Sequence, residues 1–160
     1  VVPVVQLAIN AMQPLDYHLD VGRRLAPLRE RGVLVAGSGN VVHNLARADF
    51  AHPDDGYDWA RRFDEAAREA MTTDPAAVAR LFVHADWDVA VPTPDHFLPL
   101  LYVAGLADAA GVTPEVLVDG YAYGSLSMTS YTVGAVAAAG TAGGGAAPLP
   151  GDVPPEDTNT

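Results

Sequence analysis

The first 36 residues carry the pattern that most constrains the fold, a strand, a helix and a second strand in direct succession. Residues 2–9 are an apolar run rich in β-branched side chains, which is typical of a strand buried on both faces. A helical pattern then starts near Pro14 and stops near Gly32, and residues 33–36 predict the second strand. Since two strands joined by a helix form a right-handed crossover, the sequence predicts an α/β domain with a mainly parallel sheet flanked by helices.

The rest of the chain continues the alternation of helical and extended patterns. Helices are predicted at residues 59–70, at residues 75–81 and from residue 94 to about Gly111, with loops at residues 46–56 and 82–91. The apolar positions of the third of these helices surround it almost completely, so it is predicted to be buried. Residues 116–118 predict a strand, and residues 125–133 predict a sheet-edge strand or one arm of a hairpin.

Length and composition predict one domain followed by a tail. The chain has 160 residues, and its hydrophobic fraction of 49% is enough for a substantial core. From Ala135 onward the composition turns to alanine, glycine and proline without periodic apolar positions. We therefore expect a folded domain over residues 1–134 and a disordered tail over residues 135–160.

Charge and residue usage exclude several classes of partner. The net charge is −11, and nine arginines are present without any lysine, so nucleic acid is not an expected partner. No apolar run is long enough for a membrane span, and no signal peptide is visible. The absence of cysteine fits a cytoplasmic protein and leaves His, Asp and Glu as the possible metal ligands.

His43 is the first candidate for chemistry, because a glycine-rich turn follows the predicted strand at residues 33–36 and leads to it. Ligands bind at the carboxyl ends of strands in open α/β sheets. A phosphate loop is excluded because no Gly-Lys-[ST] follows the turn, and a dinucleotide fingerprint because Val42 occupies its third glycine position. Ser38 is not in a G-x-S-x-G elbow. The simpler alternative is a tight turn that His43 caps.

His96 is the second candidate, because residues 93–95 (TPD) place it in the first turn of the predicted buried helix. The positive end of a helix dipole disfavours imidazolium, and a neutral imidazole is the form that binds metals. The alternative is a hydrogen bond to backbone at a buried helix end, and the spacing alone favours that structural role. His18 is predicted to be an exposed helix residue, while His52 and His84 fall in polar loops.

Four blocks of sequence carry a resemblance to a known family. They read PVVQL at residues 3–7, GSGNVVHNL at residues 37–45, PTPDHFLPLL at residues 92–101 and GSLSM at residues 124–128. Together and in this order, they resemble the class III extradiol ring-cleavage dioxygenases, and within them the 4,5-DOPA dioxygenase branch. The likeness extends over about residues 1–134.

The resemblance implies a non-haem Fe(II) enzyme that opens the ring of a catechol, DOPA-like in this branch, with O₂. Zinc is found in the same site of related proteins. By motif, His43 corresponds to the histidine with the acid–base role and is also a candidate metal ligand. His96 corresponds to a metal ligand. The residues that would bind the substrate are not identified by the motifs.

The sequence departs from the family in one respect. The G-H-G and S-x-H motifs that complete the family's metal site upstream are absent, so the chain resembles only the C-terminal portion of these enzymes. A facial metal site needs three protein ligands, and His43 and His96 supply two. An upstream half-domain or a partner chain would complete the site. The alternatives are a non-catalytic remnant or binding module of the same fold and, more remotely, a zinc hydrolase.

Overall fold

The computed structural model describes residues 2–134, and these residues form mainly helices. The α-helices are α1 (Leu15–Leu25), α2 (Pro27–Glu30), α3 (Asp58–Thr73), α4 (Trp87–Ala90) and α5 (Leu98–Ala110). Turns of 3₁₀-helix lie at Leu45–Arg47, Pro75–Val83 and Pro94–His96. The strands are β1 (Glu115–Val118), β2 (Tyr121–Ala122), β3 (Leu126–Ser127) and β4 (Ser130–Thr132). The predicted tail at residues 135–160 lies outside the described residues.

Helix α5 lies at the centre of the core, as its apolar circumference predicts. Leu98, Leu101 and Ala104 are buried on it, and it packs along α1 through Leu19. It ends at Gly111, whose φ of 62° lies in the left-handed region that glycine adopts without strain. The predicted position of this helix end is confirmed.

The contact between α1 and α5 is made backbone to backbone. A Cβ atom added to Gly105 would fall inside the van der Waals distance of the Leu19 carbonyl oxygen. A Cβ added to Gly22 would meet the Tyr102 carbonyl oxygen in the same way. The two glycines therefore set how closely the helices approach each other.

Helix α3 covers another side of the core with one apolar face. Phe63, Ala67 and Met71 are fully buried on that face, and the ring of Phe63 contacts that of Phe97. The helix predicted at residues 59–70 is therefore confirmed. The helix predicted at residues 75–81 is instead the 3₁₀-helix Pro75–Val83, and the predicted loop that follows contains the short helix α4.

The predicted parallel sheet is not confirmed by the structure. The described strands form two small antiparallel pairs, β1 with β4 and β2 with β3. The strand predicted at residues 116–118 is present as β1, and residues 125–133 are divided between β3 and β4. The chain is thus a mixed helix and strand domain.

The prediction of strands at residues 2–9 and 33–36 is wrong for the described chain. Both segments lack regular secondary structure, and Val4 and Leu34 expose 89% and 90% of their surface. A strand needs a neighbouring strand to pair with its N–H and C=O groups, and no described strand pairs with either segment. Their apolar side chains are therefore left facing solvent.

Among residues 2–134, no helix is both long and apolar enough to cross a membrane. The longest, α3, has 16 residues and carries charged side chains along one face.

The structure corrects the expectation that His18 is exposed. Its side chain is fully buried on α1, and its Nδ1 atom lies 3.1 Å from the hydroxyl of Tyr102 on α5. The Nε2 atom has no hydrogen-bond partner among the described residues. Burial lowers the pKa of His18 below that of a free histidine, so the folded protein holds this imidazole in its neutral form.

We expect the stability of the protein to fall as the pH drops from about 7 to 5. The pKa of His18 is lower in the folded chain than the value of about 6.5 in the unfolded chain, so protonation favours unfolding. Urea unfolding at several pH values measures this dependence. His18→Phe should be less stable at pH 7 but should show a shallower fall, whereas His52→Gln, at an exposed histidine, should keep the wild-type slope. Equal slopes in all three proteins would contradict the assignment.

Candidate active site

The two candidate histidines, far apart in sequence, are brought into direct contact. The imidazole rings of His43 and His96 are stacked, with centroids 3.6 Å apart and ring planes 15° apart. His43 is partly buried, and 40% of the His96 side chain is exposed. The structure therefore unites the two predicted residues at one place on the surface.

The backbone around His43 is held from two directions. The His43 N–H donates to the carbonyl oxygen of Ala90, at 3.0 Å, and His43 forms an antiparallel bridge with Leu126. The Asn40 N–H donates to the carbonyl oxygen of His96, also at 3.0 Å, which joins the two histidine segments directly. These hydrogen bonds hold the segment that carries His43 against the segment that carries His96.

The close approach of the His43 and His96 segments explains why glycine occupies position 39. A Cβ added to Gly39 would clash with the carbonyl oxygen of His96. The turn itself does not require glycine, because neither Gly37 nor Gly39 has a positive φ. A side chain at Gly39 would separate the two segments, so this glycine is required by the contact between the histidine segments.

His96 lies in the 3₁₀ turn Pro94–His96, just before α5, and not in the first turn of an α-helix. The side chain of Thr93 makes no capping hydrogen bond with this turn. The carboxylate of Asp95 lies beside the ring, with Oδ2 3.4 Å from Nε2.

The surroundings of His43 lower its pKa. Burial lowers the pKa of His43, and a positive charge on the stacked His96 lowers it further. The ring of His43 makes no hydrogen bond with another residue among residues 2–134. Its nitrogen atoms are thus available to a ligand.

The stacked geometry limits how the pair can hold a metal ion. A ligating imidazole places the metal near the plane of its ring, and two nearly parallel planes have no common point close to both rings. To share one ion, the rings must therefore tilt apart. Two imidazoles are nevertheless suitable donors for Fe(II) or Zn(II).

A third ligand is absent from the described part of the chain. Within residues 2–134, no group of three His, Cys, Asp or Glu side chains is placed to hold a metal ion. The exposed His52 lies 2.8 Å from Asp49, and His84 accepts a hydrogen bond from the Asp86 N–H at 3.1 Å. Neither of these histidines joins the stacked pair.

A cleft of about 280 Å³ adjoins the pair on the side of His96. Its walls include the Gly37–Gly39 turn, Pro99 at the start of α5, and Thr129 and Tyr131 near the end of the described chain. Burial raises the pKa of Tyr131, as does the negative charge of the nearby Asp64. A cavity of about 150 Å³ already holds a benzene ring, so the cleft is large enough for a single-ring ligand.

Sequence reasoning missed Asp64, a fully buried carboxylate on the apolar face of α3. It accepts hydrogen bonds from the hydroxyls of Ser127, of Thr129 at 2.9 Å and of Tyr121 at 3.2 Å. The guanidinium of Arg68 lies 3.7 Å away. One signal in the sequence could have found this carboxylate: residue 64 lies between Phe63 and Ala67, two apolar positions on the buried face of the helix. Buried carboxylates are rare unless hydrogen-bonded or paired.

Comparison with known proteins identifies the family of the chain. Residues 1–134 match the family model described as the catalytic LigB subunit of aromatic ring-opening dioxygenase. The chain belongs to the LigB family. The resemblance found in the four sequence blocks is thereby confirmed, and its extent agrees with the match.

Two curated relatives of the chain share a name. The 4,5-DOPA dioxygenase extradiol of Escherichia coli (strain K12) is 38% identical over 138 residues, which is 83% of this chain and 50% of the relative. The protein of the same name from Portulaca grandiflora is 34% identical over 81% of this chain and 48% of the relative. The chain therefore spans about half the length of the curated relatives it matches.

A solved structure supports the fold. The crystal structure of an uncharacterized protein from Escherichia coli K12 superposes with a TM-score of 0.69 and 35% sequence identity. The match covers 78% of this chain and 52% of that protein. The arrangement of helices and short strands described above is thus that of part of a LigB-family protein.

Proposed function

We propose that this chain contributes two histidines to the site of an iron-dependent extradiol dioxygenase, which cleaves the ring of a DOPA-like catechol with O₂. The observation that carries the proposal is the direct stacking of His43 on His96, at centroids 3.6 Å apart, within a LigB-family domain. The names of the relatives support the reaction class.

The two histidines have different roles in this proposal. His96, half-exposed beside the cleft, binds the metal, and His43 accepts a proton from a catechol hydroxyl and returns it during ring opening. A ring nitrogen of His43 is free for that transfer, and the same ring would contact the metal as well once the two stacked rings tilt apart. Fe(II) held there would supply the Lewis-acid and redox chemistry that ring cleavage requires, and zinc is the other ion that suits two imidazoles.

We assign the 280 Å³ cleft to the aromatic ring of the substrate. It adjoins His96 and is lined both by the apolar residues Pro99 and Leu100 and by the hydroxyl-bearing residues Ser38 and Ser130. A catechol combines the same two chemical properties, since it has an apolar ring and two adjacent hydroxyl groups. The cleft is open on one side, so a side chain on the ring has room to extend outward.

The remaining metal ligands lie, in this proposal, on an upstream half-domain or a partner chain. Two observations support this: the chain spans about half the length of its relatives, and its extended apolar segments at residues 2–9 and 33–36 have no described strand partner. Strands of the completing part would pair with these segments and bring the third ligand to the histidine pair. The contrasting candidate, a non-catalytic remnant, is favoured by the lack of a third ligand within residues 2–134.

Metal titration of the 160-residue chain tests the proposal. We expect Zn(II) and Fe(II) to bind with micromolar affinity at best, because two imidazoles leave most of the coordination shell to water. Binding should move the ring NMR signals of both histidines, since the rings must leave their stacked arrangement. His96→Gln should weaken binding at least tenfold, whereas the control His52→Gln should not.

Two results would contradict the proposal. Binding that is unchanged in His96→Gln would place the metal elsewhere in the protein. An absence of any binding up to millimolar metal would favour the non-catalytic remnant.

A further inference from the structure

We propose that Asp64 is a positioning residue for the His43–His96 pair. The carboxylate acts through the segment of residues 121–129, which it anchors to α3 and which in turn holds the backbone on both sides of His43. The inference rests on the proposed function only where it concerns metal affinity. The geometric part stands on the contacts of the described residues.

The first link joins Asp64 to the anchored segment. All three hydroxyl groups that donate to the carboxylate come from this one stretch of chain: Tyr121 at its start, and Ser127 and Thr129 at its end. Ser127 is fully buried and Thr129 nearly so, so no water replaces these donors. Hydrogen bonds to a buried, ionised carboxylate are stronger than those between neutral groups.

The second link joins the anchored segment to His43. The Ser127 N–H donates to the carbonyl oxygen of Val42 at 3.0 Å, and the Asn44 N–H donates to the carbonyl oxygen of Ser125 at 3.1 Å. His43 lies between these two contacts and forms the antiparallel bridge with Leu126. The position of the His43 backbone therefore follows that of the segment.

The third link reaches His96. The side-chain amide of Asn40 donates to the carbonyl oxygen of Ser127 at 2.9 Å, while the Asn40 N–H donates to the carbonyl oxygen of His96 at 3.0 Å. Thr129 also forms part of the wall of the cleft. One carboxylate thus determines where both rings and one wall of the cleft lie.

Arg68 completes the arrangement and explains how a buried charge is tolerated. Its guanidinium lies 3.7 Å from Asp64 and makes two hydrogen bonds to Asp119, at 2.6 Å and 3.0 Å. Asp119 lies two residues before the start of the anchored segment. The same helix face therefore holds the chain just before the segment, through Arg68, and both ends of the segment, through Asp64.

Asp64→Asn in the 160-residue chain tests the inference, because the amide keeps the shape and removes the charge and one acceptor oxygen. We expect the imidazole NMR signals of His43 and His96 to shift, while those of His18, which contacts Tyr102 on another side of α5, stay in place. Zn(II) affinity should fall about 10- to 100-fold, the usual effect of losing a group that orients a metal ligand.

A matched control separates positioning from stability. Val78→Ala removes two methyl groups from a fully buried side chain in the same core, outside the anchored segment. Each protein is measured at the same number of degrees below its own melting temperature. Under these conditions, Val78→Ala should keep wild-type histidine signals and Zn(II) affinity. Thr129→Val, which removes one donor at constant shape, should shift the same two histidines by less than Asp64→Asn, and it serves as the test if Asp64→Asn does not fold.

The outcomes are distinct. Wild-type His43 and His96 signals in both Asp64→Asn and Thr129→Val would overturn the inference and leave Asp64 as a core residue only. If the wild-type chain binds no Zn(II) while the His43 and His96 signals still shift in Asp64→Asn, that pair of results would support positioning by Asp64 and refute the proposed function.

Discussion

Replacing His43 by glutamine should lower the rate of ring cleavage about 10²- to 10⁴-fold while leaving most of the iron bound. The assay needs a complete site, so the chain replaces the matching half of the Escherichia coli relative in a chimera. Glutamine keeps a polar side chain of similar length but cannot transfer a proton near neutral pH. Oxygen uptake with DOPA and the iron content of the purified protein measure the two effects separately.

His96→Gln is the comparison that distinguishes the two roles. If His96 is a ligand, its loss lowers iron content and activity together, and added Fe(II) partly restores the rate. His52→Gln should match the unsubstituted chimera in both measurements. Near wild-type turnover of His43→Gln at full iron occupancy would show that His43 is structural, and a parallel loss of iron and activity would make it chiefly a ligand.

Gly105→Ala should destabilise the chain by about 3 kcal/mol, the upper end of what overpacking a core usually costs. The added methyl would meet the Leu19 carbonyl oxygen on α1, and a clash with backbone is relieved only by moving a whole helix. Domains of this size are stable by about 5–15 kcal/mol in total, so the loss is a large share. Thermal and urea unfolding followed by circular dichroism measure it.

Gly111→Ala provides a matched control on the same helix. Its Cβ would have open space, but its φ of 62° disfavours alanine, at a cost of about 1 kcal/mol. The difference between the two variants isolates the effect of helix contact from that of backbone strain. Equal destabilisation in the two proteins would mean that α1 and α5 can separate easily at Gly105.

Most helices were predictable from the sequence because their determinants are local. The 3.6-residue repeat of α3 and the glycine that ends α5 lie within the elements that they define. The strands at residues 2–9 and 33–36 were not predictable in the same way. Strand formation depends on hydrogen bonds to another segment, and the apolar composition of these residues says nothing about whether that segment is present.

The candidate site was predictable in part, for a similar reason. Two short blocks of sequence drew attention to His43 and His96, but their stacking depends on Gly39, which permits the backbone contact between them. Asp64 was missed because its hydroxyl donors are between 57 and 65 positions away along the chain. His18 was expected on the surface because its neighbours on α1 are polar, while its burial comes from the close crossing of α5.

The unpaired apolar segments also have a consequence for how the isolated chain behaves at high concentration. Extended backbone with free N–H and C=O groups is a template for cross-β association between copies. The net charge of −11 opposes such association by mutual repulsion of the copies at neutral pH. Near the isoelectric point, at about pH 4.5, this repulsion vanishes. Colloidal stability of the chain therefore depends on its acidic surface, which must keep residues 2–9 and 33–36 of different molecules apart.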